Sequence, residues 1–279
     1  MFALTEQQKV FFETFGFLGF PGLMSDCIGE IIDAFESIWD DHGGGHAGKA
    51  HDEERRSCIV QFIDHHERLC ALLDDDRIHG ILAGLLGDDF NYMGSDGNYY
   101  AGDTGWHSDG WGKTLRFVKV AFYLDEVTRD TGCLRVIPGS HHLGDVYGNR
   151  LQDDVRQSGD LWGVTGKEVP ALALETQPGD VVLFNHNLKH SAFGGGARRR
   201  MFTINSCVRF PEDEEHIAFL KKDISGGARF WIDRVYGEKM IATAGPSRLR
   251  HLEQVMAHDG HLAELSAKAR VEMPEPSRG

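Results

Sequence analysis

At 279 residues, with 41% hydrophobic and 26% charged residues, the chain has ordinary globular composition and enough length for a large buried core. The 43 acidic residues outnumber the 29 basic ones and leave a formal charge of −14, which disfavours binding to nucleic acid or anionic membrane. Five widely spaced cysteines (Cys27, Cys58, Cys70, Cys133 and Cys207), with no Cys-x-x-Cys, exclude a disulfide framework and a thiolate zinc site as expectations.

The opening MFALTEQQKVFF has no basic stretch followed by an apolar run, and no segment nears the roughly 18 apolar residues of a membrane span. A cytoplasmic protein is therefore expected. Thr5 followed by Gln8 reads as a capping box for a helix running to about Thr14. Phe15–Phe20 reads as extended, and Pro21-Gly22 turns it. Ser25 is placed to cap an amphipathic helix with Ile28, Ile31, Ile32, Phe35, Ile38 and Trp39 at helical spacing. The His42-Gly-Gly-Gly-His46 run breaks that helix and opens a polar, mobile loop through Arg56. A further helix is expected over Glu67–Leu86.

From about Phe90 the pattern shortens to period-two runs between Gly, Asp and Asn clusters, the mark of an antiparallel sandwich or barrel. The clearest strands are Phe117–Leu124, Gly132–Ile137, Asp180–Phe184 and Met201–Phe210. Residues 145–168 are polar, with few strand signals, and read as a lid, a binding loop or disorder. After Pro211 helices are expected at Asp213–Lys222, Ala228–Tyr236, Ser247–Ala257 and Gly260–Val271, before a disordered tail. The chain thus reads as one domain: a mainly helical part (1–88), a β core (89–210), a helical extension (211–272) and the tail (273–279).

Chemistry concentrates in the β region. Gly105-Trp-His-Ser-Asp-Gly110 carries His107 and Asp109 two residues apart, which on a strand aims both side chains to one face. A second histidine comes from Gly179-Asp-Val-Val-Leu-Phe-Asn-His-Asn-Leu-Lys-His190, where His186 and His190 both qualify. Two histidines and one carboxylate on one face of a metal leave open positions, the arrangement of non-haem iron oxygenases; structural zinc sites are closed. Arg198-Arg199-Arg200 enters the next strand, where one guanidinium can meet the far carboxylate of a metal-bound diacid. The other two are expected to be solvated. Lys119 lies within the apolar run Arg116–Leu124 with Ala121 and Tyr123 on its face. An unpartnered buried charge is costly, so Lys119 is expected to contact the diacid or an anionic substrate. Trp106, Trp111 and Tyr100 flank the metal segment and are placed to wall a substrate pocket. His141 and His142 read as structural, and His42, His46, His65 and His66 as solvated.

Together these segments resemble the phytanoyl-CoA dioxygenase family of Fe(II)/2-oxoglutarate oxygenases over roughly residues 5–210. The resemblance is carried by LTEQQKVFFETFGFLGFPGLMS, WHSDG, FYLDEVTRDTGCLRVIPGSHH, GDVVLFNHNLKHSAF and RRRMFTINS. It implies a double-stranded β-helix (jelly roll) flanked by helices, with Fe(II), 2-oxoglutarate and O2 as its reaction partners. It implies His107, Asp109 and His190 as iron ligands, preferring His190 to His186 by its ten-residue spacing from Asp180. It implies Arg199 as the 2-oxoglutarate arginine, with Arg198 and Arg200 as alternatives of register, and it points to Asn98 as a cosubstrate contact. Relatives that halogenate lack the carboxylate; Asp109 is present, so hydroxylation or a related oxidation of a small molecule is expected, yielding succinate and CO2.

Two other readings use the same residues. One is a cupin-like isomerase or hydrolase with zinc or manganese and no 2-oxoglutarate. The other is a non-catalytic jelly-roll binding protein. The extension after Pro211 is free to cap the sandwich, close over the pocket or form a homodimer.

Overall fold

The computed structural model describes residues 2–110, 112, 115–144 and 146–279. In chain order the elements begin with α1 (Glu6–Phe15), β1 (Phe17–Phe20), α2 (Ile28–Asp41), β2 (Ser57–Val60), α3 (Glu67–Cys70) and α4 (Asp76–Leu86). The middle contains β3 (Asn91–Tyr100), β4 (Thr104–His107), β5 (Phe117–Tyr123), β6 (Leu134–Val136), α5 (Val146–Arg156), α6 (Ser158–Trp162), β7 (Leu172–Leu174), β8 (Val181–Asn185), β9 (His190–Ala192) and β10 (Arg199–Cys207). Helices α7 (Glu214–Ser225), α8 (Glu238–Ala242), α9 (Pro246–Ala257) and α10 (Leu262–Glu272) close it.

Two antiparallel sheets form the jelly roll. The larger runs β1-β8-β5-β10-β3-β2 and the smaller β4-β9-β6-β7. Alternation along the strands of the larger sheet divides its two faces. Val118, Val120, Phe122, Phe202 and Ile204 point outward and join a core with α2 and α4. Phe122 and Phe202 stack with ring centres 4.5 Å apart. Ala121, Tyr123, Val182, Phe184 and Met201 point inward and meet Cys133, Leu134 and Val136 of the smaller sheet's side. A third cluster joins Trp106, Ile137, Val155, Val169 and Phe193 beneath α5.

The expected capping box forms at Thr5 and Gln8. Ser25 does not cap α2, because turns occupy the chain up to Cys27, which is the N-cap without a side-chain bond. The helix expected over Glu67–Leu86 is broken: Asp75 accepts from the Arg77 N–H and restarts it as α4. Residues 146–162 are largely helical, with Ser108 donating to Gln152 (2.6 Å) and Arg156 Nε donating to the Trp106 carbonyl (3.0 Å). The tail after Met273 is docked. Arg278 donates to the Arg56 carbonyl (2.9 Å), the Ser277 N–H to the Arg229 carbonyl (2.8 Å), and His46 to the Pro276 carbonyl (2.9 Å). His46 is therefore buried and bonded rather than solvated, and the loop around it is fastened. His65 packs edge-on against His42 at 4.5 Å, and burial drives its pKa down to about 4. His141 donates to the Glu13 carbonyl (3.1 Å), a structural bond as expected. All five cysteines are unpaired. No helix among the described residues is long and apolar enough to cross a membrane.

Asp64 ties the extension to β3. Its carboxyl accepts from Tyr92 OH (2.9 Å) and from the Gly237 N–H (2.8 Å). At 2% exposure, burial raises its pKa to about 7. A raised folded pKa stabilises the native state below about pH 4, and that contribution is lost as pH rises toward 7. Asp64→Asn stays neutral throughout. The stability of the wild type relative to Asp64→Asn, from urea midpoints, is expected to fall by up to about 4 kcal/mol between pH 4.5 and 8. Parallel pH profiles would contradict this.

Candidate active site

Register in the larger sheet lays polar side chains in rows on its inner face, because residues directly opposite one another share a face. Lys119 is opposite Asn205, which is opposite Gly94. The next row runs Ala121, Thr203, Asp96 and Val60, and the next Tyr123, Met201, Asn98 and Cys58. Arg199 pairs with Tyr100 beyond them. Apart from Ala121 and Asn98, these residues form one wall of a cavity of about 1160 Å³, which His107, Asp109 and His190 also line.

His107 on β4 is the cross-strand partner of His190 on β9, so the two rings face each other with centres 4.2 Å apart. Strand β4 ends at His107, and Asp109 lies just past it. Its direction comes from the His186 carbonyl, which accepts the N–H groups of Asp109 (2.8 Å) and Gly110 (3.0 Å), rather than from strand alternation. One ligand atom from each of His107, Asp109 and His190 falls within 4.8 Å of the others. Each imidazole donates its Nδ1–H to a carbonyl: His107 to Gly105 and His190 to Leu188, both at 2.8 Å. Since carbonyls only accept, Nε2 of each ring is left with its lone pair turned to Asp109, at 3.8 and 3.6 Å. Burial lowers the His190 pKa to about 3 and keeps the ring neutral, the form that binds metals.

Lys119 donates to Asp109 Oδ2 at 2.8 Å. Burial opposes ionisation of Asp109, but Lys119 and then the imidazoles outweigh it and hold the carboxyl well below the usual range. Burial likewise opposes the Lys119 charge, and Asp109 and Asp96 more than restore it. Within the protein the partner of Lys119 is the candidate ligand Asp109. Ala121 and Tyr123 do share its face.

Arg199 is 5% exposed, and its Nε and Nη1 have no hydrogen-bond partner among the described residues. The guanidinium lies over the Tyr100 ring, 5.1 Å from its centre. A Cβ at Gly132 or Gly195 would collide with this guanidinium, and Gly132 also has φ +95°, so glycine is required there. A buried cation without a partner is costly, and the cavity it faces is the natural place for an anion. Ser191, beside His190, is a second buried group with an unpartnered hydroxyl lining this cavity.

Arg198 and Arg200 are not merely solvated. Arg198 pairs with Glu36 (2.8 Å) and stacks on Tyr99, while Arg200 pairs with Glu36 (2.8 Å) and Asp125. Asn98 is fully buried; it accepts from Arg56 Nε (2.7 Å) and donates to Asp96 (2.6 Å), so its side chain is engaged away from Arg199. His186 lines neither the triad nor the cavity; burial lowers its pKa to about 4. Trp106 and Tyr100 line the cavity as expected, and Trp111 lies outside the described residues. Sequence reasoning passed over Asp96, Arg56 and Ser191. Asp96 and Arg56 have no motif, but Ser191 adjoins His190 and was open to inspection.

Comparison with known proteins follows the same lines. The sequence model of the phytanoyl-CoA dioxygenase (PhyH) family matches residues 12–201. A 2-aminoethylphosphonate dioxygenase from Uncultured bacterium HF130_AEPn_1 is 25% identical over 241 residues, covering 78% of this chain and 86% of the relative. The 2-oxoglutarate-dependent carbocyclase SnoK of nogalamycin biosynthesis shares the fold with a TM-score of 0.58 and 22% identity, over 74% of this chain and 85% of its own. HygX from Streptomyces hygroscopicus, solved with nickel and 2-oxoglutarate, gives 0.59 and 18% over 75% and 88%. EctD from S. alaskensis, solved with 2-oxoglutarate and 5-hydroxyectoine, gives 0.56 and 22% over 74% and 76%.

The geometry predicts that His107→Ala, Asp109→Ala or His190→Ala each weaken anaerobic Fe(II) or Co(II) binding by at least about 100-fold in calorimetry, while His186→Ala retains binding within about tenfold. Retention of full affinity by any of the first three would count against the site.

Proposed function

We infer the reaction from one premise: the chain belongs to the phytanoyl-CoA dioxygenase family. It is an Fe(II)/2-oxoglutarate-dependent dioxygenase that acts on a small molecule. The finer reading is that it hydroxylates a substrate C–H bond, with 2-oxoglutarate converted to succinate and CO2, in a cytoplasmic setting. The observation that carries this reading is a single cavity holding both a two-histidine, one-carboxylate cluster and an unpartnered buried arginine. A cupin-like isomerase that uses no diacid cosubstrate gives no account of Arg199.

In this reading His107, Asp109 and His190 hold the metal through two neutral Nε2 atoms and one carboxylate oxygen. Bound there, Fe(II) supplies O2 activation. Lys119 fixes the second carboxylate oxygen of Asp109, so the ligand keeps one orientation. Arg199 takes the far carboxylate of 2-oxoglutarate as a charge-assisted pair, with Ser191 as a further donor. Asp109 occupies the position that a halogenating relative leaves vacant, which favours hydroxylation. Helix α5 is tied to the metal segment by Ser108 donating to Gln152 and by Arg156 Nε donating to the Trp106 carbonyl, which holds it beside the site.

Anaerobic loading with Fe(II) and 2-oxoglutarate, then succinate release on admitting air, tests the reading. Arg199→Gln, and Gly132→Ala acting through its collision with Arg199, are expected to raise KM for 2-oxoglutarate at least tenfold with Fe(II) affinity unchanged. Unchanged KM in both variants would sink the assignment of Arg199.

A further inference from the structure

The cavity continues past the metal cluster to a wall built by the C-terminal extension. Ile224 of α7, and Arg229, Phe230 and Ile232 after it, line this wall. These residues lie beyond the stretch that the family shares, 12–201, so they belong to this chain's own elaboration of the site.

The charges lining the cavity are unbalanced. Among side chains, Arg55, Arg56, Lys119, Arg156, Arg199 and Arg229 stand against Asp96, Asp103, Asp109 and Asp223, six cationic side chains to four carboxylate side chains. That surplus of two positive charges occurs in a chain of formal charge −14. A divalent metal and a dianionic cosubstrate cancel each other and leave the surplus intact. A cleft of one sign concentrates ligands of the other.

Pairing narrows the surplus to particular side chains. Asp109 is matched by Lys119 and Asp96 by Arg56, while Arg55 binds Asp52 and Asp103 is met by Lys167. Asp96 also accepts from Thr203 and Asn98, so its charge is committed and not open to a substrate ammonium. Arg199 is allotted to the cosubstrate. Two guanidiniums remain. Arg156 donates only its Nε, to the Trp106 carbonyl, and Arg229 stacks on the Phe230 ring at 4.6 Å. Neither has a carboxylate within 4.0 Å among the described residues. Asp223, also without an ion-pair partner there, offsets one of them at most.

We propose that the primary substrate carries an oxyanion (a carboxylate, phosphonate or phosphate ester), and that Arg229 of the extension and Arg156 of α5 receive it. The proposal rests on the 2-oxoglutarate dioxygenase reading. It gives the extension a defined task as the substrate-recognising wall, with α5 completing the grip from the other element.

The test uses the full chain loaded anaerobically with Fe(II) and 2-oxoglutarate, whose visible charge-transfer band reports the loaded centre. Ethylphosphonate, butyrate and the neutral butyramide are titrated in turn, and iron-induced broadening of each probe's NMR lines reports binding beside the metal. At least one of the two oxyanions is expected to broaden and saturate at least tenfold more tightly than butyramide, and which one does so separates phosphonate from carboxylate recognition. Arg229→Gln and Arg156→Gln should each weaken that probe at least fivefold while the band and 2-oxoglutarate affinity stay unchanged. Equal binding of butyramide, no broadening by either oxyanion, or wild-type affinity in both variants would overturn the proposal. If the band itself never forms, the parent reading fails instead.

Discussion

Pairing of β4 with β9 sets His107 directly opposite His190, and everything else in the site is arranged around that cross-strand contact. Two imidazoles brought this close, both with Nδ1 tied to a carbonyl, have their remaining lone pairs directed at common ground. Asp109 completes the group only because the His186 carbonyl clasps two successive backbone N–H groups and turns the loop back. The smaller sheet thus supplies the two histidines, and the loop after β4 supplies the carboxylate. The larger one supplies the charged groups that control them.

That division explains the electrostatics. Lys119 keeps Asp109 ionised beside the two imidazoles, and Asp96 keeps Lys119 charged in turn. Arg199 stands apart from this chain of compensation, held in a cradle that two glycines leave open. The motif Asp130-Thr-Gly-Cys-Leu-Arg-Val136 therefore has a physical task at Gly132, which clears room for the guanidinium. A cleft whose side chains are predominantly cationic concentrates ligands of the opposite sign.

Much of this was legible in the sequence, and the exceptions share a cause. The strands with strong apolar alternation, such as Phe117–Leu124, are those whose outer face joins the helical core. Strand β3, Asn-Tyr-Met-Gly-Ser-Asp-Gly-Asn-Tyr-Tyr, gave no such signal because its inner face lines the cavity and carries Gly94, Asp96 and Asn98. Period two also selects among the arginines: two residues from the inward Met201, Arg199 turns in while Arg200 turns out to Glu36. The tail and the loop at His46 looked mobile because their fastenings are backbone carbonyls, which leave no trace in side-chain pattern. The segment 145–168 shows little pattern, although 146–162 is largely helical, because short helices covering a small cluster need few apolar positions.

The most direct measurement is an anaerobic crystal structure with Fe(II) and 2-oxoglutarate. The account predicts one metal bound by His107 Nε2, His190 Nε2 and an Asp109 oxygen, with the far carboxylate of 2-oxoglutarate on Arg199. A metal elsewhere, or a cosubstrate whose tail leaves Arg199 without a partner, would contradict it.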